Sequence, residues 1–317
     1  IELAGPGAEA MLDGMVANRL PKKVGGIALT HILNRRGRVE LELTVVKLAE
    51  ARYYLVCAAF FERRLLDLLQ EFHSETGAQI INRSSTWAAL TLNGPRARDV
   101  LGACTVAPLD NASFRWLSSQ EIEIAGHRVF AFRMSYSGEL GWEFHGPNEA
   151  MLAVYDALWA AGEPHGIADY GSFAMNAMRM EKGFKGAGEL TNEVTAPEAD
   201  VMRFVKMDKD FIGKDATEAS LNSDLPWVCA YLAIDPDGKA DGNGGGAGLL
   251  DGELVGTTSS VAYGHAAQTI LAFAYVKPVA AKPGTELEVV IMGQPRKARV
   301  LAEPAYDPES RLPRTDA

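Results

Sequence analysis

Leu3-Ala4-Gly5-Pro6-Gly7-Ala8, with Leu12 following, returns later in the chain as Leu92-Asn93-Gly94-Pro95-Arg96-Ala97, with Leu101 following. Each stretch reads as a strand that ends in a Gly-Pro turn and opens an amphipathic helix, because Pro is tolerated in a first helical turn, where its missing N–H costs nothing. A full apolar strand, Trp87 to Leu92, precedes the second turn, whereas only Ile1 to Leu3 precede the first. There is no initiator Met, basic n-region or apolar h-region at the start. The expectation is that the chain carries no signal peptide and begins inside a domain, with an unpaired, aggregation-prone strand edge near Ile1.

Working outward, each helix is followed by strand, turn, strand and a longer helix. In the first copy these are Ile27 to Leu33, the Asn34-Arg35-Arg36-Gly37 turn, Val39 to Leu48, Tyr53 to Ala58 and a helix from Phe61 to Glu75. In the second, Glu121 to Ile124, the Gly126 turn, Val129 to Tyr136 and Gly141 to His145 lead to a helix from Asn148 to Ala161. This alternation belongs to α+β units with antiparallel hairpins, not to a doubly wound parallel sheet.

A further helix is expected over Tyr170 to Lys182, then a glycine-rich stretch, a short strand at Phe204 to Lys206 and a turn at Phe211-Ile212-Gly213-Lys214 into a short helix. Leu221 to Pro226 gathers Asn, Ser, Asp and Pro and reads as a linker. Beyond it only strands are expected: Trp227 to Ile234, Leu249 to Leu254, Thr257 to Tyr263, Thr269 to Val276, Glu286 to Met292 and Arg296 to Leu301. Short strands separated by Gly, Pro and Asp turns suggest a small β-barrel or jelly-roll-like domain. The run Gly242-Asn243-Gly244-Gly245-Gly246-Ala247-Gly248 lacks the Lys-Ser/Thr and the helix that follow a phosphate loop, so it reads as a flexible hairpin tip. The expected division is an α+β domain over 1–220, a barrel over 226–305 and a frayed tail over 306–317.

A chain of 317 residues suits about two domains. With 47% hydrophobic and 23% charged residues it can bury a full core. No run approaches the ~18 apolar residues that a bilayer span needs. The net charge of -10 argues against nonspecific nucleic-acid binding, which depends on a basic surface. Cys57, Cys104 and Cys229 lie far apart, with no CxxC and no His at metal-ligand spacing. Reduced thiols in a reducing compartment are therefore expected, cytoplasmic or, in a eukaryote, the mitochondrial matrix, and no metal site.

Two segments interrupt apolar strands with polar groups. In Gly37-Arg38-Val39-Glu40-Leu41-Glu42-Leu43-Thr44-Val45, alternation sets Glu40, Glu42 and Thr44 on one face and Val39, Leu41, Leu43 and Val45 on the other. That polar face is either solvated or offers a carboxylate to a cavity, where partial burial suits it to general-base or orienting work. In Ser135-Tyr136-Ser137-Gly138-Glu139-Leu140-Gly141-Trp142-Glu143-Phe144-His145, a Ser-Gly turn brings an aromatic ring and the Glu143 carboxylate together. It is either an ordinary hairpin with an aromatic pair or a seat for a flat, nitrogen-rich heterocycle, held by stacking and by a carboxylate accepting from ring N–H groups.

At Ser135 to Glu143 the chain resembles the folate-binding glycine-cleavage T-protein family, whose hallmark is a Tyr-(Thr/Ser)-Gly-Glu-x-Gly-x-Glu strand turn. Asn18-Arg19-Leu20-Pro21-Lys22-Lys23-Val24-Gly25, Glu42-Leu43-Thr44-Val45, Ala174 to Lys182, Asp210-Phe211-Ile212-Gly213-Lys214 and Leu271-Ala272-Phe273-Ala274-Tyr275-Val276 are similar to its dimethylglycine dehydrogenase branch. The resemblance implies an α+β, T-protein-like folate-binding fold, with two intertwined lobes and a C-terminal β-barrel, and tetrahydrofolate as cofactor. Position by position it implies Glu42 as the catalytic carboxylate beside the folate reaction centre, with Leu43 and Thr44 lining the same strand. It implies Tyr136 against the folate and Glu143 on the pterin ring, with Phe144 and His145 beside it. Arg203, where animal members of that branch carry a folate-contacting Tyr, is expected to meet the folate's carboxylates through charge-assisted bonds. Met175 stands where T-proteins carry a pterin-pairing Arg, and position 42 holds Glu where they carry Asp, which turns the expectation away from glycine cleavage itself.

In that branch the folate region is joined to an N-terminal flavin domain that oxidises an N-methyl group to an iminium. The implied function is the tetrahydrofolate-dependent one-carbon transfer part of a dimethylglycine or sarcosine dehydrogenase-like enzyme, capturing an iminium or formaldehyde carbon as 5,10-methylenetetrahydrofolate, with FAD confined to a missing N-terminal domain. The implied partners are folate, an N-methylated amine and a flavin oxidoreductase domain or subunit, with no nucleic acid and no membrane. A stand-alone folate-dependent aminomethyl- or methyltransferase and a non-catalytic folate-binding module are the other readings that the scaffold allows.

Overall fold

The computed structural model describes residues 1–73, 77–236 and 242–316. Its elements run β1 (Glu2–Ala4), α1 (Ala8–Met15), β2 (Ile27–Leu33), β3 (Val39–Ala49), β4 (Arg52–Val56), α2 (Glu62–His73), β5 (Gln79–Ile81), β6 (Trp87–Asn93), α3 (Ala97–Cys104), β7 (Ser118–Ile124), β8 (His127–Arg133), β9 (Gly141–Pro147), α4 (Asn148–Gly162), α5 (Ser172–Glu181) and α6 (Lys214–Leu221). Six more strands follow: β10 (Val228–Ile234), β11 (Ala247–Leu250), β12 (Glu253–Gly264), β13 (Thr269–Val276), β14 (Glu286–Ile291) and β15 (Gln294–Val300). The expected end of α2 at Glu75 lies outside the described residues. Two compact units result, one of Ile1–Thr30, Leu43–Tyr170 and the residues from Ser310 on, the other of His31–Glu42 and Gly171–Glu309. No helix among the described residues is long and apolar enough to cross a membrane.

In the first unit the repeated sequence is a repeated structure. One sheet has the order β2-β3-β4-β1-β5 and the other β7-β8-β9-β6, so in both a three-strand meander is closed by the strand that precedes the Gly-Pro turn. Gly5 and Gly94 both have left-handed backbones, with φ of 111° and 129°. Their amides donate to Ala51 O and Leu140 O, while their carbonyls accept from Ala8 and Ala97 to start α1 and α3. Strand β1 is flanked by β4 on one side and β5 on the other, so the expected unpaired edge near Ile1 does not exist. The sheets meet through Ile27, Val46, Tyr54 and Phe132. The second copy has its own core of Leu101, Phe114, Trp142, Phe144 and Val154.

The expected frayed tail is instead fastened. Arg133, wholly buried, donates to the carbonyls of Phe114, Pro313 and Thr315, and Arg98 donates to Leu109 O and Thr315 O. Carbonyls supply partners that a polar, Pro-rich composition does not reveal.

The second unit centres on a closed barrel, β10-β13-β12-β11-β14-β15, which leaves no free sheet edge and decides for a barrel over a jelly roll. Its interior is lined by residues such as Leu232, Ile234, Ala272, Val276 and Val289. The expected strand Leu249 to Leu254 is broken by an Asp251-Gly252 turn, which makes it the end of β11 and the start of β12. The expected strand at Phe204 to Lys206 is a single 3₁₀ turn over Met202–Phe204, held by Phe204 N–H to Val201 O and Val205 N–H to Met202 O. Helix α5 is tied to the barrel by Glu181, which accepts from the amides of Ala266 and Ala267, and by Tyr231, which donates to Met180 O. The hairpin at 31–42 docks on a distant stretch of the same unit. Val39 N–H donates to Val194 O, Ala196 N–H donates to Gly37 O, and Gly213 leaves no room for a side chain, since a Cβ there falls 2.2 Å from Asn34 O.

Candidate functional site

In the first unit, alternation along β9 sends Trp142 and Phe144 into the core and leaves Glu143 and His145 on the opposite face. Pairing of β9 with β8 sets His145 opposite Phe130 and Glu143 opposite Phe132. His145 stacks on Phe132, with ring centroids 4.5 Å apart. Tyr54 meets His145 edge-on at 5.5 Å and lies 5.7 Å from Trp87, which stacks on Phe130. Glu143 therefore stands at the border of an aromatic floor.

Polar contacts on this floor form a chain. The Tyr54 hydroxyl lies 3.4 Å from His145 Nδ1, and His145 Nε2 lies 3.3 Å from Glu143 Oε2. Burial, followed by the charges of Glu2 and Glu143, pushes the Tyr54 phenol up to about 12, so it stays protonated and donates to Nδ1. The Glu143 carboxylate can only accept, so the imidazole proton is placed on Nε2, which donates to Glu143, and Nδ1 accepts from the Tyr54 hydroxyl. Glu143 keeps the lone pairs of its second oxygen, with about a fifth of its side chain exposed (19%).

The other expected residues of this unit fall into two classes. Tyr136 is exposed on the turn between β8 and β9, where Ser135 Oγ and Ser137 Oγ are 2.8 Å apart and Gly138 has a left-handed backbone. Thr44 is almost buried on β3, opposite Val56. Leu43 and Phe144, by contrast, are wholly buried apolar side chains on the core face of their strands, so only their backbone faces the polar side.

In the second unit, Glu42 lies near the middle of β3, with its side chain 32% exposed and Oε2 3.5 Å from Nε2 of the wholly buried His31. Glu40, two residues earlier, accepts from Asn34 Nδ2. His31 packs against Phe204 at 5.7 Å between ring centroids, and the exposed Arg203 places its guanidinium over the Phe204 ring at 4.6 Å.

Sequence reasoning missed Tyr54, Phe132 and His31. Tyr54 was findable, because it lies as far beyond Gly5 as Glu143 lies beyond Gly94. Phe132 required the register of β8 against β9, which no local pattern supplies.

Two family models match the chain: the GCVT N-terminal domain over residues 1–209 and the glycine cleavage T-protein C-terminal barrel domain over residues 229–307. The chain belongs to the glycine cleavage T-protein family of folate-dependent aminomethyltransferases, as the turn at 135–143 implied. Dimethylglycine dehydrogenase, mitochondrial, of Homo sapiens is 35% identical over 309 residues, covering 95% of this chain and 35% of that protein. The chain thus spans about a third of the length of that relative and of its Mus musculus counterpart. An aminomethyltransferase of Saccharopolyspora erythraea is 32% identical over 311 residues, covering 96% of this chain and 84% of that protein. The crystal structure of the glycine cleavage system aminomethyltransferase T of Bartonella henselae superposes with a TM-score of 0.85 at 22% identity, covering 97% of this chain and 83% of that one, which establishes the shared fold.

Tetrahydrofolate is the cofactor of this family, and the residues present suit it. A pterin is flat and rich in N–H donors, and the first unit offers aromatic faces next to a carboxylate whose Oε2 alone is paired with His145 among the described residues.

Proposed function

We propose that the chain is the tetrahydrofolate-dependent one-carbon transfer part of a dimethylglycine or sarcosine dehydrogenase-like enzyme. The observation that carries this reading is Glu143, whose carboxylate is oriented by His145 beside the Phe132 and Tyr54 rings. Likeness to dimethylglycine dehydrogenase across 95% of the chain favours that branch over glycine cleavage.

Bound tetrahydrofolate supplies the amine that captures a one-carbon unit, giving 5,10-methylenetetrahydrofolate. Glu143 accepts from the pterin N–H groups, Tyr136 covers the ring, and His145 holds Glu143 in place. Thr44 contributes a hydroxyl, and the buried Leu43 and Phe144 anchor the strands that carry Glu42, Thr44, Glu143 and His145. Arg203 pairs with the carboxylates of the glutamate tail. With an iminium donor, the donor nitrogen would leave as the free amine carrying one folate N–H proton, and Glu42 would take the other. With formaldehyde both protons would leave in water, Glu42 relaying one. While ionised, Glu42 would also stabilise the positive charge of an incoming iminium. The iminium comes from a flavin oxidoreductase domain or subunit acting on an N-methylated amine, with the alternative donor being formaldehyde. A reducing compartment, cytoplasm or mitochondrial matrix, accords with three free thiols.

Calorimetric titration of the chain with tetrahydrofolate, beside Glu143→Ala and Glu42→Gln, tests this reading. Losing a charge-assisted hydrogen bond is expected to weaken binding roughly tenfold or more in Glu143→Ala. Glu42→Gln is expected to bind normally and to capture formaldehyde slowly. A folded chain that gives no heat with tetrahydrofolate would overturn the assignment.

A further inference from the structure

We infer that His31 is a positioning residue for Glu42, holding its carboxylate in one orientation through a hydrogen bond from Nε2–H. The inference rests on the reading of Glu42 as the proton acceptor and concerns only residues of the second unit.

Among the described residues, neither ring nitrogen of His31 has a hydrogen-bond partner, although the side chain is wholly buried. Buried polar atoms in folded proteins are almost always satisfied, and an orphaned imidazole lowers stability, so its presence calls for a use. The acceptor it faces is Glu42 Oε2, 3.5 Å away, about half an ångström beyond a good bond. A small rotation of the partly exposed Glu42 side chain closes that gap, whereas His31 is fixed by burial and by the Phe204 ring. Among the described residues, Glu42 on β3 faces His31, and Arg203 lies beyond the Phe204 ring.

The two carboxylates of the polar strand face differ in this respect. Glu40 is engaged by Asn34 Nδ2 at 3.0 Å, within the hairpin. Glu42 has three rotatable bonds and, among the described residues of the second unit, faces the imidazole. A proton on Nε2 lets His31 donate to Oε2 and leaves Oε1 to accept the proton. His31 itself is too buried to touch a substrate, which distinguishes it from a catalytic residue.

Gln places an amide N–H where Nε2 stands, while Asn is too short to reach and Leu has no donor. The test compares His31→Gln, His31→Asn and His31→Leu with wild type and Glu42→Gln in the full chain. It reads formaldehyde capture above the uncatalysed rate, tetrahydrofolate Kd, melting temperature and, in the folate-free chain, the Glu42 Cδ resonance. His31→Leu and His31→Asn are expected to lower kcat about tenfold, leave KM and Kd within about twofold, and shift the Glu42 Cδ resonance. His31→Gln is expected to restore most of kcat and the wild-type resonance. The inference is overturned if His31→Leu or His31→Asn keeps a wild-type kcat while Glu42→Gln is slow, or if the Glu42 resonance stays put in both. A Glu42→Gln chain as fast as wild type overturns the role of Glu42 in the proposed function instead. In that case the resonance alone still decides whether His31 orients Glu42. If His31→Leu fails to fold, the Gln and Asn pair carries the comparison.

Discussion

Tyr54 and Glu143 occupy the same position in the two halves of a duplicated fold, and His145 bridges them. Tyr54 pairs across the sheet with Glu2 on β1, as Glu143 pairs with Thr91 on β6. One copy has kept a phenol and the other a carboxylate, and the imidazole between them takes a hydrogen bond from the first and gives one to the second. In the proposed function, binding on this face therefore draws on both copies, with Glu143 supplying the carboxylate.

Tyr54→Phe removes the hydroxyl that donates to His145 Nδ1. We expect a stability loss of about 0.5–1.5 kcal/mol by urea denaturation, the usual worth of one neutral hydrogen bond. Tetrahydrofolate affinity should fall a few-fold with no change in stoichiometry. An unchanged Kd would mean that Glu143 needs no help from Tyr54.

Alkaline pH provides a second check. Burial pushes the Tyr54 phenol up to about 12 and raises Tyr53, Tyr231 and Tyr275 as well, whereas tyrosines of the unfolded chain titrate near 10. The folded state therefore holds its protons longer. The associated stability is fully present below about pH 10 and is lost as pH rises from there through about 12. Denaturation midpoints across that interval should fall more steeply for wild type than for Tyr54→Phe.

Glu2 is the acid-side counterpart. Burial opposes its charge, but hydrogen bonds and charges from Arg52 and Arg83 prevail and hold its carboxyl below the usual range. Stability from this group is present above the unfolded carboxyl's pKa and is lost as pH falls through the lower folded value. Glu2→Gln should cost on the order of 1–3 kcal/mol near neutrality, less than removal of a fully buried pair, because both arginines keep access to water. Urea midpoints should show that gap narrowing below about pH 4.

Arg133 is buried with carbonyls, not a carboxylate, as its hydrogen-bond acceptors, and desolvation and Arg98 lower its pKa to about 10. Arg133→Met should leave the Phe114 and Pro313 carbonyls without this donor, while Thr315 O keeps Arg98, and should loosen residues 310–316. Amide exchange in that segment should accelerate more than in β6 to β9, with a loss of about 2–4 kcal/mol overall. Uniform acceleration across the unit would mean that Arg133 supports the core and does not fasten the tail.

How far the sequence could be read depended on how local the signal was. Two Gly-Pro turns exposed the duplication because a turn of this kind is specified by a handful of neighbouring residues. Alternation set Glu40, Glu42 and Thr44 on one strand face for the same reason. The break at Asp251-Gly252 was legible too, since Asp-Gly is a strong hairpin dipeptide, but apolar Leu249, Leu250 and Leu254 masked it. Phe204 belongs to a 3₁₀ turn because local bonds satisfy its backbone, an outcome that apolar composition does not distinguish from a short strand. Arg133 grips carbonyls far along the chain, and His31 faces Glu42 across a hairpin. Both relationships are set by tertiary register, which one sequence does not encode in any window.

The hairpin at 31–42 also imposes an order of events during synthesis. Its docking partners, Val194, Ala196 and Gly213, are made long after it. At about 5–20 residues per second, the ribosome needs roughly ten to thirty seconds to bridge that interval. Throughout it, the segment bearing Glu42 must wait with its partner stretch still unmade, while the rest of β3 can already pair with β4. The nascent chain can thus build one sheet early, but the surroundings of its proposed proton acceptor are completed late.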